Sequence, residues 1–244
     1  MPKAKYDEIY LELKRDVEQG TCPYGVLMPS ENALVERFGC SRNTVRRALA
    51  GLAEDGYVQP IHGKGVRVIY QPSERASFTV GGIESFQETA RRNRLNVVTK
   101  VIRFEAVTVD RKLAERCGFP EGAEVYDIER VRYLDGKPLI LDRNLFLRAL
   151  VSGLTAEIAA RSIYAYIEKD LGMQIAASKR TITVEHATAQ DAQLLELGDY
   201  NCLAVVSSQT FNSDGILFEY TQSRHQPDYF SFHDMATRKK PAMQ

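Results

Sequence analysis

Two amphipathic stretches separated by only three residues, Gly39-Cys40-Ser41, set the tightest constraint on how this 244-residue chain can fold. Before the break, Pro29-Ser30-Glu31 opens a short helix, with Ser30 as N-cap and Glu31 in the positive first turn. Ala33, Leu34, Val35 and Phe38 give it an inner face, and Gly39 ends it. After the break, Ser41 caps a second helix from Arg42 to about Glu54, with Val45, Ala48, Leu49 and Leu52 inward. Two short helices joined this tightly must cross steeply, as in a helix-turn-helix unit.

The flanks extend that unit. Tyr6, Ile9, Tyr10, Leu13 and Val17 recur at helical spacing and predict a helix over 5–19, stopped by Gly20. After Gly56, Tyr57 to Ile61 and Val66 to Ile69 alternate as strands around His62-Gly63-Lys64-Gly65, where glycine allows positive φ. A helix-turn-helix followed by a β-hairpin is a winged helix, and it is expected over 1–70. Gln71-Pro72-Ser73-Glu74-Arg75 breaks the pattern, so 71–77 is expected as a linker.

From residue 78 to 244 a second domain is expected. Strands are predicted over Val98–Val109, Val125–Leu134, Leu139–Leu147, Ile175–Glu185, Leu203–Phe211 and Ile216–Arg224. Asp135-Gly136-Lys137-Pro138 and Ser213-Asp214-Gly215 are their turns. Helices are predicted after the caps Asp110 and Ser162, and over Thr188–Leu195 with a capping-box pattern, Thr188-x-x-Asp191. Hairpin strands with interspersed helices imply an α+β domain on a mostly antiparallel sheet.

Charge and composition narrow the function. Lysine and arginine together number 32, as do aspartate and glutamate, so the net charge is zero. The distribution is uneven. Residues 37–67 hold Arg37, Arg42, Arg46, Arg47, Lys64 and Arg67 against only Glu54 and Asp55. On the second helix Arg42, Asn43, Arg46 and Arg47 face outward. Arginine can read guanine, asparagine can read adenine, and the Ser41 and Thr44 hydroxyls suit phosphate. This pattern points to a double-stranded DNA partner. No apolar run approaches the about 20 residues of a membrane span, and charges at the start leave no secretion signal, so a cytoplasmic protein is expected. Cys22, Cys40, Cys117 and Cys202 lack zinc-ligand spacing and are expected as reduced thiols, with no metal and no cofactor.

The second domain carries no nucleophile-elbow, zinc-protease or phosphate-loop motif, so no catalytic residues are assigned and an enzyme is disfavoured. Arg130 and Arg132 fall two apart on one strand face, suited to a phosphate or carboxylate. Ser85-Phe86 and Ser162 sit at helix starts, where backbone N–H groups favour an anion. Glu219, Tyr220 and Arg224-His225 on the last hairpin suit sugar hydroxyls. His186, at a strand end, is read as structural.

The run Pro29-Ser30-Glu31…Leu34…Phe38-Gly39…Ser41-Arg42-Asn43-Thr44-Val45-Arg46-Arg47-Ala48-Leu49…Gly63-Lys64-Gly65 resembles the winged helix of the GntR family of bacterial transcription regulators. Cys40 replaces a commoner valine, and Val66-Arg67 a commoner Ser/Thr-aromatic pair. The resemblance implies operator contacts by Asn32, Ser41, Arg42, Asn43, Thr44 and Arg46, with His62, Gly63 and Lys64 as the wing tip. Arg67 adds an expected phosphate contact. Residues 78–235 resemble the UTRA effector domain of the HutC subfamily, which shares its fold with chorismate lyase. That implies a DNA-binding repressor released by a small-molecule effector. A homodimer on a two-fold-symmetric site is expected, because a single winged helix reads few bases. The implied effector contacts are Ser85, Phe86, Arg130, Arg132, Asp142, Ser162, Arg180, Glu219 and His225. Val80 to Phe86, Ser162 to Gly172 and Leu217 to His225 are similar to regulators of trehalose use, implying trehalose 6-phosphate as effector. Asp142 and His225 stand where relatives often carry glutamate and tyrosine, which leaves a different sugar open. An amino-sugar phosphate or an amino-acid catabolite stays open as effector, and the shared fold leaves a lyase-like activity as the remote alternative.

Overall fold

The computed structural model describes residues 5–71, 83, 86–92 and 95–232. They fall into two compact units, one holding 5–71 and the other 83–232. The expected linker lies outside the described residues beyond Gln71, as does the anticipated contact Ser85.

The first unit has three helices, α1 (Lys5–Glu18), α2 (Glu31–Phe38) and α3 (Arg42–Glu54), and a hairpin of β1 (Val58–Ile61) and β2 (Gly65–Val68). Its core gathers the inner faces that the periodicity marks. Leu13, Leu34, Val45, Ala48, Leu52 and Val58 are all sealed from solvent. Each fully buried leucine or valine contributes about 2 kcal/mol. Both helices of the steep turn are capped at their starts. Ser30 Oγ accepts from the Ala33 N–H, and Ser41 Oγ from the Thr44 N–H. Gly39 between them takes φ 53°, a left-handed conformation that returns its N–H to Val35 O.

The second unit is one antiparallel six-stranded sheet of order β3-β4-β5-β8-β7-β6. The strands are β3 (Val97–Thr108), β4 (Glu124–Leu134), β5 (Lys137–Leu147), β6 (Ile175–His186), β7 (Cys202–Asn212) and β8 (Leu217–His225). The helices are α4 (Phe86–Arg92), α5 (Arg111–Cys117), α6 (Ala156–Ala159), α7 (Ile163–Lys169) and α8 (Ala189–Leu194). Inner strands β4 and β5 are buried almost throughout because both of their faces are covered, whereas edge strands β3 and β6 alternate. On one face, Ile128 and Phe146 pack with Ile163 and Ile167 of α7. On the other, Val125 and Leu145 pack with Cys117 of α5, and Val131 and Leu141 pack against Leu194 and Leu195 at the end of α8.

One local reading is corrected and one element is added. The β4–β5 turn is only Asp135-Gly136, with φ 49° and 85°, so Lys137 and Pro138 join β5. Asp-Gly accepts the paired positive φ values that a two-residue hairpin needs. The α6 turn, capped by Thr155, was not anticipated. The four cysteines are free thiols. Among the described residues no helix is long and apolar enough to cross a membrane.

Candidate functional site

Each unit carries its own candidate site. In the first, the outward side of α3 is as the helical spacing requires. Arg42, Asn43, Arg46 and Arg47 are exposed while Val45, Ala48 and Leu49 are buried. The starts of α2 and α3 interlock. Arg42 Nη2 donates to Asn32 Oδ1 at 2.7 Å, Arg46 Nε lies 3.8 Å from Glu31 Oε1, and the Ser41 and Thr44 hydroxyls are 2.8 Å apart. His62, Gly63 and Lys64 form an exposed tip, where Gly63 adopts φ 72° and the following Gly65 φ 111°.

Two cations in the basic stretch have other roles. Arg37 points back to α1 and is held by Glu12 at 2.6 Å and Asp16 at 2.7 Å. Its charge is spent on packing α2 against α1, so the basic surface is smaller than the residue count implies. The Arg47 guanidinium lies 3.9 Å from the centre of the Tyr6 ring and ties α3 to α1.

In the second unit the sheet floors a cavity of about 200 Å3. Phe86, Arg130, Arg132, Asp142, Ser162, Arg180, Glu219 and His225 all line it. The strand period brings them together: Arg130 and Arg132 on β4, Asp142 on β5, Glu219 and His225 on β8, and Arg180 on β6 point to one face. Tyr220 and Arg224, also read as facing this site, alternate to the opposite face. Tyr220 packs with the α5 cluster, and Arg224 binds Asp191 at 2.9 Å and Glu185 at 2.6 Å. His186 is exposed, and its carbonyl accepts from Arg224 Nη2.

The cavity's polar groups form a connected network. Arg132 Nε donates to Asp142 Oδ2 at 2.8 Å, and Ser223 Oγ donates to Asp142 Oδ1 at 2.6 Å. Arg132 also donates to Thr99 and lies against the Phe86 ring. Arg130 donates to Asn144 Oδ1 and to the Ala159 carbonyl at the end of α6. Tyr164 of α7 donates to Glu219 Oε2 at 2.6 Å, and Thr221 donates to Glu219 Oε1. Four arginines, 130, 132, 161 and 180, face two carboxylates, an excess of two positive charges at full ionisation.

Burial and the like charge of Arg132 push the Arg130 guanidinium down to about 9. Burial would raise Asp142, but Arg132 and Arg130 outweigh it and hold the carboxyl below its ordinary value. Burial raises Glu219, though donors from Tyr164 and Thr221 oppose the shift. Burial lowers His225 to about 4, so its imidazole is neutral at pH 7. The cavity therefore presents compressed positive charge beside hydroxyls and two carboxylates. An anionic, hydroxylated ligand complements both features.

Asn144, Thr221, Ser223, Ser208 and Thr210 also line the cavity but were missed. Counting by twos from Asp142 or Glu219 would have found the first three. Nothing local marks Ser208 and Thr210 on β7, which reach the site only through sheet pairing with β8.

A winged helix bearing outward arginines on α3, followed by a domain with an anion-suited cavity, defines a ligand-responsive DNA-binding transcription regulator. Residues 5–68 match the model of the bacterial regulatory proteins of the gntR family, and 92–231 match the UTRA domain. The chain belongs to the GntR family, in its HutC-type branch with a UTRA domain. It is 37% identical to the HTH-type transcriptional regulator TreR of Bacillus subtilis, across 98% of this chain and 100% of that one. It is 29% identical to the mannosyl-D-glycerate transport/metabolism system repressor MngR of Escherichia coli, across 97% and 98%. The effector-binding domain of the B. subtilis trehalose repressor superposes with a TM-score of 0.53 at 36% identity, covering 59% of this chain and 99% of that domain. The possible transcriptional regulator YydK of B. subtilis shares the fold over 96% of this chain and 100% of its own, with a TM-score of 0.79 at 24% identity. These relatives are regulators, and the chain is a regulator rather than an enzyme.

Proposed function

We propose that this regulator represses a trehalose-utilisation operon and releases its operator when trehalose 6-phosphate fills the cavity. The observation that carries the reading is the two-charge cationic excess set among hydroxyls, which matches a phosphomonoester dianion joined to a sugar. Likeness to a protein named as a trehalose repressor supports the choice of sugar. Arg130, Arg132, Arg180 and Ser162 take the phosphate, while Asp142, Glu219 and His225 meet the sugar and Phe86 closes one side. Ser41, Arg42, Asn43, Thr44, Arg46, His62, Gly63 and Lys64 form the operator surface. Release requires the ligand to favour the non-binding state, because equal affinity for both states shifts nothing.

Calorimetric titration with trehalose 6-phosphate and with trehalose tests this, paired with an operator-shift assay for each. The phosphorylated sugar is expected to bind and release DNA, and trehalose to bind at least about a hundredfold more weakly, because it brings no anion to the cavity's excess of positive charge. Arg130→Ala is expected to keep operator binding and lose release. Equal affinity for the two sugars would remove the phosphate from the reading. Binding of neither, with response to an amino-sugar phosphate, would move the effector to that class.

A further inference from the structure

The tie between the first turns of α2 and α3 has a consequence for how the operator is read. Asn32 is the second residue of α2, and Arg42 is the first of α3. Both are exposed, yet their side chains meet at 2.7 Å, with Arg42 Nη2 donating to Asn32 Oδ1. An exposed arginine samples many rotamers, and holding one against a base edge costs entropy. A guanidinium already held by one N–H loses less on binding and keeps its remaining donors for a base. The steep crossing of the helices creates this contact: it sets the start of α2 beside the start of α3, where Glu31 also approaches Arg46.

We propose that Asn32 is a positioning residue for sequence recognition, buttressing Arg42 rather than itself contacting the operator. This rests on the reading of Arg42 as a base-contacting residue. It also gives a physical reason for the residue type. A neutral amide oxygen orients the guanidinium without placing a negative charge beside DNA phosphates. Asn32→Asp separates the two roles. A carboxylate still accepts the Arg42 bond, but it cannot donate to a phosphate and is repelled by one.

The experiment uses the full chain. Selection from a randomised duplex library defines the preferred site, and anisotropy titrations on that site and its single-base variants measure each base preference. Arg42→Ala identifies the base pair read by Arg42 by abolishing a preference of about tenfold or more there. Asn32→Ala is expected to cut the preference at that same base pair by about threefold or more, leaving the other positions unchanged. Asn32→Asp is expected to bind every sequence more weakly while keeping that preference. Even loss across all sequences with Asn32→Ala, and greater loss with Asn32→Asp, would show a direct backbone contact and overturn the buttress. Wild-type preference in Asn32→Ala would overturn it too, while sparing Arg42. An Arg42→Ala variant that keeps every base preference would overturn both assignments.

Discussion

His225 lies in the cavity wall with its ring 5.1 Å from Phe230, and its burial has a cost that depends on pH. Burial lowers it from 6.5 to about 4, although the charge of Asp142 opposes the shift. Below pH 6.5 the unfolded chain binds a proton that the folded chain refuses. Stability from this group is thus fully present above pH 6.5 and is lost as pH falls toward about 4, a loss of about 3 kcal/mol. Glu219, raised by burial, acts with the opposite sign, so wild type and variant must be compared at the same pH. Urea unfolding followed by circular dichroism should show His225→Gln losing about 3 kcal/mol less than wild type across that window. Parallel pH profiles for the two proteins would contradict the buried, neutral imidazole.

The start of α8 shows how a short helix is pinned to the back of the sheet. Thr188 Oγ1 accepts from the Asp191 N–H, and Asp191 Oδ2 accepts from the Thr188 N–H at 2.8 Å, completing a capping box. Asp191 is fully buried and also holds Arg224, the β8 residue between the cavity-facing Ser223 and His225. One carboxylate therefore caps the start of a helix and balances a buried cation. Thr188→Ala removes only part of the cap and is expected to cost about 1 kcal/mol. Asp191→Ala leaves Arg224 with Glu185 and the His186 carbonyl alone, and is expected to cost about 3–5 kcal/mol. Denaturant midpoints at constant m-value measure both. Equal losses would mean that the Arg224 pair adds nothing to the cap.

Across the molecule, a small DNA-facing unit and a larger ligand-facing unit share one chain. A single winged helix reads few base pairs, and a two-fold pair doubles the recognised length. A homodimer on a palindromic site is therefore expected. Light scattering at micromolar concentration should give twice the 27.5 kDa chain mass, and footprinting should protect two symmetric half-sites. A monomer on an asymmetric footprint would rule this out.

The sequence by itself determined the winged helix almost completely, because its information is local. Ser30, Gly39 and Ser41 act within a turn of where they stand, and the apolar spacing of α1 and α3 marks the buried face without knowledge of the partner. It also placed Arg130 and Arg132 on a common face, since the strand period is two. Tertiary structure alone decided what those residues meet. Arg37 looked like part of the basic surface until α1 supplied Glu12 and Asp16. Register decided the cavity wall as well. A shift between Thr210 and Phe211 lets Phe218 pack under α7 while its neighbour Glu219 lines the cavity, which strict alternation would forbid. Periodicity reports which way a side chain faces within its own element. Which charges come together across elements far apart in the chain is fixed only when the strands pair and the helices cross.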